Sequence, residues 1–428
     1  MTLGIDFEDL GIEPDYTGPV QAADIPAPQG RNLVAGSTLA KALFSVWDGA
    51  PIVIVDSPPG AGKTTLVTEI VAYLKERSDL KMIIACYTRR AAYDIAARIA
   101  VELGPDKDGN PQVALGIKDM EPPAGVSKGG ASAGGRNLPV VRTVASCKIS
   151  PPECDLLIID EAYQVTFNDA SAAGDQADQL LMVGDPGQIG PVVSADVSAF
   201  RGRDVAPHMR APEVFASMEG AVVHALTTTY RVGQETVDAI APLYNFPFDS
   251  ARPDRFLTDA DGDRVSEIVP LEIDSPASFD DLSLLVKIAR YGAGLIGVDL
   301  VEYDSEGSAF RRELEPADIC IVVAHNAQAS GITAILRTLK AEGITVLTAD
   351  KAQGGQWHAV VAVDPCIGYT TAGSHQVSPG RLCVMASRHQ SHLTWVHDDK
   401  WEDMLTDPEL DQEEARLGRL VRHRLTAF

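Results

Sequence analysis

Long apolar runs are missing from this chain. Nowhere in its 428 residues is there anything near the ~20 consecutive apolar residues that a membrane-spanning helix needs, so no membrane association is expected. Cysteine is sparse: six are scattered through the chain, and the closest pair, Cys147 and Cys154, has six residues between them. That spacing fits no common zinc pattern and points to reduced structural thiols in a cytoplasmic protein. Positive charge is scarce as well. Lys and Arg total 36 against 60 Asp and Glu, a formal net charge of −24. A surface this acidic repels a polyanion on average, so contact with nucleic acid would need a local basic groove. A basic leader is absent too. Residues 1–30 are acidic and Pro-containing with little periodicity, and read as a tail over the surface rather than a signal or transit peptide. The nine histidines include His389, His392 and His397 near the C-terminus. No Cys or Asp completes a known ligand spacing around them, which argues against a metal cluster.

What the chain does have is DSPPGAGKTT, Asp56 to Thr65. Residues 51–55 before it are apolar and read as a buried parallel strand. Residues 66–76 after it are amphipathic and read as a helix. Strand, glycine-containing loop, Lys-Thr and helix make the phosphate-binding P-loop arrangement. Gly60 and Gly62 allow backbone N–H groups to turn inward around phosphate oxygens. The helix N-terminus adds partial positive charge. Lys63 is expected to reach the β- and γ-phosphates of ATP, and Thr64 to hold Mg²⁺ through its hydroxyl. Ala61 and Thr65 complete the expected nucleotide-binding loop. The first position of the usual G-x-x-x-x-G-K-[ST] pattern is Ser57 here, not Gly.

Further along, strands and helices alternate. Residues 37–47 have helical spacing with Ser37 or Thr38 as cap. Residues 82–86 read as a second buried strand that runs into a helix. Residues 104–137 lose all pattern and form a Gly/Ala/Ser-rich loop carrying Lys128 and Arg136. Residues 155–160 form an apolar strand ending in adjacent carboxylates, Asp160 and Glu161. At the carboxyl end of a buried parallel strand, one carboxylate can hold Mg²⁺ and the next can orient or deprotonate the attacking water. Another strand, residues 179–185, leads into GDPGQIGPVV. The second half repeats the theme without a P-loop. Helices are expected at 234–244, 327–339 and 408–426, and strands at 319–323, 346–348, 359–363 and 393–396. A weakly patterned region, 246–316, holds short strands and a helix near 282–291. Such alternation implies α/β architecture with parallel sheets and helices on both faces.

These stretches together resemble the superfamily 1 helicases, particularly the group with a DEAxQ second motif that includes the Upf-like and RecD-like enzymes. SPPGAGKT is similar to GPPGTGKT, DEAYQ matches the second motif, and GDPGQIGPVV is similar to GDxxQLPPVV. Residues 86–99 resemble the motif that opens with a Thr-Asn pair, with Arg89 in place of the Asn. Residues 226–244 resemble the Tyr-Arg motif that opens the second domain. Residues 346–364 are similar to the Thr-x-Asp-x-x-Gln-Gly-x-Glu motif, with Gln356 in place of its Glu. Residues 381–396 resemble the last motif, in which an Arg follows Ala-x-[ST].

The resemblance implies two RecA-like P-loop NTPase domains, drawn here as 31–222 and 223–428, with ATP bound between them. It implies that Gln188 senses the γ-phosphate, that Arg231 and Arg388 reach the developing phosphoryl charge, and that Tyr230 lies against the adenine. Gln353 and Gly354 would link nucleotide state to the bound strand, and Thr88 would contact its backbone. Asn32 and Ser37 are the nearest polar candidates for the adenine-contacting Gln that the family carries upstream. The implied activity is ATP-dependent helicase or translocase action on single-stranded DNA or RNA, with a 5′→3′ direction favoured. Large inserted subdomains are missing, so this would be a near-minimal motor core that draws on a protein partner to separate a duplex. The other expectation, which the acidic charge favours, is an ATP-driven switch that binds a protein partner.

Overall fold

The computed structural model describes residues 24–26, 32–129, 138–193, 195–200, 202–304 and 307–428. Most of the expected acidic tail and Arg136 fall outside them. The chain divides into two compact units. One comprises residues 1–57, 62–186 and 190–226, and the other residues 58–61, 187–189 and 227–428.

The first unit is built on an eight-stranded, wholly parallel sheet. Its order is Ala221–Ala225, Ile52–Asp56, Ala177–Gly184, Cys154–Asp160, Met82–Cys86, Val140–Thr143, Ala114–Leu115 and Ser127–Lys128. Ile52–Asp56 and Met82–Cys86 are buried at every position, which explains their unbroken apolar runs: both faces are covered. Alternate residues feed two cores. Val53, Val55, Met82, Ile84, Leu156 and Ile158 pack under helices Thr38–Trp47, Lys63–Arg77 and Arg89–Leu103. Ile52, Ile54, Ile83, Leu157 and Ile159 pack on the other face with helices Val144–Ile149, Phe167–Ala173 and Ala211–Phe215. Ser37 does cap the first helix, its hydroxyl accepting from Ala40 N at 3.1 Å.

The second unit has a five-stranded parallel sheet in the order Ile268–Glu272, His389–His397, Trp357–Val363, Ile319–Val323 and Thr345–Thr348. Helices Gln234–Ile240, Pro379–Ala386 and Gln412–Leu425 share a core with one of its faces, and Leu282–Gly294 and Asn326–Thr338 with the other. An antiparallel sheet of Arg255–Leu257, Asp299–Tyr303 and Ala309–Glu313 belongs to the same unit.

Several expectations need correction. The patternless 104–137 segment contains two short strands that extend the first sheet at its edge. Two-residue strands are too short to show a period. Strand Ala221–Ala225, which spans the 222/223 line, pairs in register with Ile52–Asp56, and the first unit runs to Leu226, inside the 220–226 stretch where the boundary is expected. Helix Pro379–Ala386 was not foreseen. Its last five residues, Leu382 to Ala386, are all buried, so it shows no polar face and no helical period.

Candidate active site

Strand Ile52–Asp56 delivers the chain into the Ser57–Gly62 turn, and helix Lys63–Arg77 follows. Gly60 and Gly62 have φ of +76° and +88°, the left-handed region where a side chain is strained. Gly62 is the N-cap of the helix and supplies no side-chain hydrogen bond to it. The first-turn amides therefore keep their donor capacity for an anion, with the helix dipole behind them.

Three acidic side chains surround this loop. Asp160 ends strand Cys154–Asp160 and is buried; its Oδ1 accepts from Glu161 N at 3.0 Å. Glu161 has φ 54° and ψ 42°, a left-handed conformation that costs a non-glycine residue about 1–3 kcal/mol. Lys63 Nζ lies 4.0 Å from Glu161 Oε1 and 3.8 Å from Asp185 Oδ2. Asp185 directly follows strand Ala177–Gly184 and its side chain is fully buried. Three carboxylates against one ammonium leave negative charge in surplus. Burial, and after it the Glu161 charge, pushes the Asp160 carboxyl up to about 7, with Lys63 pulling the other way. A divalent cation would relieve this surplus. An all-oxygen donor set of this kind fits Mg²⁺.

Asp56, at the end of the P-loop strand, is likewise pushed up by burial, to about 6. The hydrogen bond from Tyr163 Oη opposes the shift, and the charges of Asp185 and Glu213 add to it. That bond, to Asp56 Oδ1, is 2.7 Å long. Sequence reasoning assigned no role to Asp185, Asp56 or Tyr163. The available signal was positional: Asp56 ends its strand and Asp185 follows one, in the manner of Asp160 and Glu161, and Tyr163 fills the variable position of DEAxQ.

Gln188 is buried, and its Oε1 accepts from Gln353 Nε2 at 3.3 Å. In the second unit, Tyr230 is exposed. Arg231 Nε donates to Gln356 Oε1 at 3.2 Å, so the residue that stands in place of the family's Glu holds this arginine. Arg388 is buried, with Nε 3.2 Å from Val384 O and Nη2 3.2 Å from Ser387 Oγ. Gly354, at φ +86°, follows the short helix Ala349–Ala352 and Gln353. Thr88 is a helix cap whose hydroxyl accepts from Ala91 N at 3.1 Å. Two cations of the first unit are paired with acids: Arg90 with Asp94 at 2.9 Å and Lys128 with Glu121 at 2.6 Å.

All six cysteines are free and buried. Among the described residues no group of three metal-ligating His, Cys, Asp or Glu side chains occurs, and no helix is long and apolar enough to cross a membrane.

Residues 41–194 match the family model of an AAA domain. This interval contains the P-loop, the Asp160–Glu161 pair, Asp185 and Gln188. No curated protein matches the chain. Solved structures similar to it include arterivirus nonstructural protein 10, a helicase, in complex with DNA. That match has 16% identity over 94% of this chain and 73% of that one, with a TM-score of 0.46. A second structure of the arterivirus protein gives 15% identity over 91% and 66%, with a TM-score of 0.45. The PRRSV helicase gives 16% identity over 83% and 54%, with a TM-score of 0.44. The present chain thus spans about half the length of the PRRSV helicase chain.

Proposed function

We propose that the chain is an ATP hydrolase of the superfamily 1 helicase type, acting on single-stranded DNA or RNA with a 5′→3′ sense of movement. The observation that carries this reading is the position of Lys63. It is held between Glu161 and Asp185, beside Asp160, at the carboxyl ends of three adjacent parallel strands. On this reading the P-loop amides and Lys63 bind the phosphates, and Lys63 exchanges its carboxylate neighbours for phosphate oxygens. Glu161 accepts the proton of the attacking water, and Gln188 senses the γ-phosphate. Thr64 and Asp160 would hold Mg²⁺, which would supply charge neutralisation for the phosphates. Arg231 and Arg388 stabilise the developing phosphoryl charge, a contribution worth ~10³ or more in rate. Their residence in a second domain makes turnover depend on domain closure. Tyr230 packs on the adenine, and Gln353 and Gly354 relay nucleotide state to the strand.

The test is ATP turnover with and without single-stranded oligonucleotides. Stimulation is expected. Rates unchanged across oligo-dT, oligo-U and mixed sequences would favour the second reading, an ATP-driven switch that binds a protein partner, which the net charge of −24 supports. Strand affinity should fall only shallowly with salt, because each neutralised phosphate contributes roughly −0.7 to the slope. The cations on the path of the strand would include Arg89 and Arg90, which are exposed, and Arg90 already has an acidic partner.

A further inference from the structure

Glu267 gathers an unusual set of partners inside the second unit. Its Oε1 accepts from Gly233 N at 2.5 Å, from Thr236 Oγ1 at 3.0 Å and from Arg252 Nη1 at 3.3 Å, and it lies 2.9 Å from His389 Nε2. Thr236 Oγ1 also meets His389 Nε2 at 3.0 Å. Both side chains of the Arg252–Glu267 pair are about nine-tenths buried or more. Burial alone would raise the Glu267 carboxyl. His389, Arg252 and the Gly233 amide outweigh it and hold the carboxyl below its ordinary range, at about 2.

The partners fall on two stretches of main chain. The first is 230–233, a bend outside helix and strand, whose backbone polar groups must find side-chain partners. Glu267 takes the Gly233 amide. Arg255 Nη2 donates to Arg231 O at 3.1 Å and to Tyr230 O at 3.3 Å, and Ser250 Oγ donates to Val232 O at 2.7 Å. Gly233 has to be glycine because an added Cβ would collide with the Glu267 carboxylate. The second stretch is 388–390. Glu267 meets the His389 ring, Gln390 O accepts from Arg252 Nη1 at 2.7 Å and from Arg255 Nε at 2.9 Å, and Arg388 O accepts from Trp357 N at 3.0 Å. The same few groups thus tie down the root of Arg231 and the two residues that follow Arg388.

We propose that Glu267 and His389 are positioning residues for these two arginines: with Arg252 and Arg255 they clamp the main chain at 231–233 and at 389–390, directly after Arg388, and so set where both guanidiniums project. The inference rests on the reading above, in which Arg231 and Arg388 act on the phosphoryl group. A guanidinium displaced by 1 Å from a phosphoryl transition state can cost on the order of 10²-fold in rate. A buried hydrogen-bonded network of this kind is a stiff local means of preventing that displacement.

The experiment is a double-mutant cycle on the full chain using Glu267→Gln and Arg231→Ala, reading kcat and KM for ATP. Glu267→Gln should lower kcat about tenfold to a hundredfold and change KM by no more than about twofold. In the Arg231→Ala background its effect on kcat should be at least about fivefold smaller, because its route through Arg231 is gone. If Glu267→Gln gives no cooperative melt, Thr236→Val, which removes one hydroxyl from the same carboxylate, is carried through the same cycle with the same expectation. An undiminished effect in an Arg231→Ala background whose turnover is lowered but still measurable would overturn the inference alone. Full turnover by Arg231→Ala itself would overturn both this inference and the reading it rests on.

Discussion

Two strand–turn–helix units can be compared directly, one in each half of the molecule. In the first, Ile52–Asp56 leads through Ser57–Gly62 into helix Lys63–Arg77. In the second, Ile319–Val323 leads through Ala324 and His325 into helix Asn326–Thr338. Both strands are buried at all five positions. The turns differ. The first uses left-handed glycines and places no side-chain acceptor over its helix start. The second is closed by its own helix: buried Gln328 accepts from Ala324 N at 3.2 Å and His325 N at 3.1 Å, and donates to Phe279 O at 2.9 Å. The first keeps its helix-start amides for a ligand, while the second spends its turn amides on internal structure. The backbone topology is shared, and the turn chemistry decides which unit can hold a phosphate.

The comparison breaks most sharply at the lysine. Lys63→Ala should abolish productive ATP binding and turnover. Glu161→Gln should still bind nucleotide yet turn over a hundredfold or more slowly, the order expected for losing a positioned base. Nucleotide titration and steady-state hydrolysis measure both, and normal hydrolysis by Glu161→Gln would remove that residue as the base. In the closed turn, Gln328→Ala leaves two amides and a carbonyl without their partner. It should cost about 1–3 kcal/mol of stability in urea unfolding with basal turnover unchanged, and a fall in turnover would show that this turn also serves the chemistry.

A pH experiment sharpens the contrast at the open turn. Asp56 titrates at about 6 when folded against a reference value of 3.8. The folded state therefore binds its proton more tightly, so the stability this group lends is complete below pH 3.8 and lost as pH rises through 6. Asp56→Asn, which can still accept from Tyr163, removes that loss. It should be more stable than the parent by about 1–3 kcal/mol at pH 8 and by little at pH 4. An equal difference at both pH values would mean that Asp56 is not the titrating group. Smallest of all, Gly62→Ala has room for its Cβ but must hold φ +88°. It should weaken ATP binding by a conformational cost of about 1–2 kcal/mol, and unaltered affinity would show that the loop tolerates a side chain there.

Much of this was legible in the sequence. Buried parallel strands show as unbroken apolar runs, so residues 52–56, 82–86 and 319–323 could be read directly. The P-loop could be read because its glycines and its Lys-Thr are chemically obligatory and contiguous. Asp185 was harder to assign, because its partnership with Lys63 joins the first and third strands of the site and leaves no local spacing. The Glu267 cluster was illegible for the same reason, its members lying at 233, 236, 252, 267 and 389. Helix Pro379–Ala386 was hidden by the absence of any polar face.

The six thiols now acquire a practical meaning. Cys86, Cys147 and Cys154 belong to the first unit, and Cys320, Cys366 and Cys383 to the second. Burial pushes Cys86, Cys147, Cys154, Cys320 and Cys366 above the ordinary thiol range, so the reactive thiolate is almost absent while the fold is closed. Alkylation must wait for a unit to open. Each half of the molecule therefore carries three native clocks, and mass spectrometry of labelled peptides would time the breathing of the two halves separately, with no engineered probe.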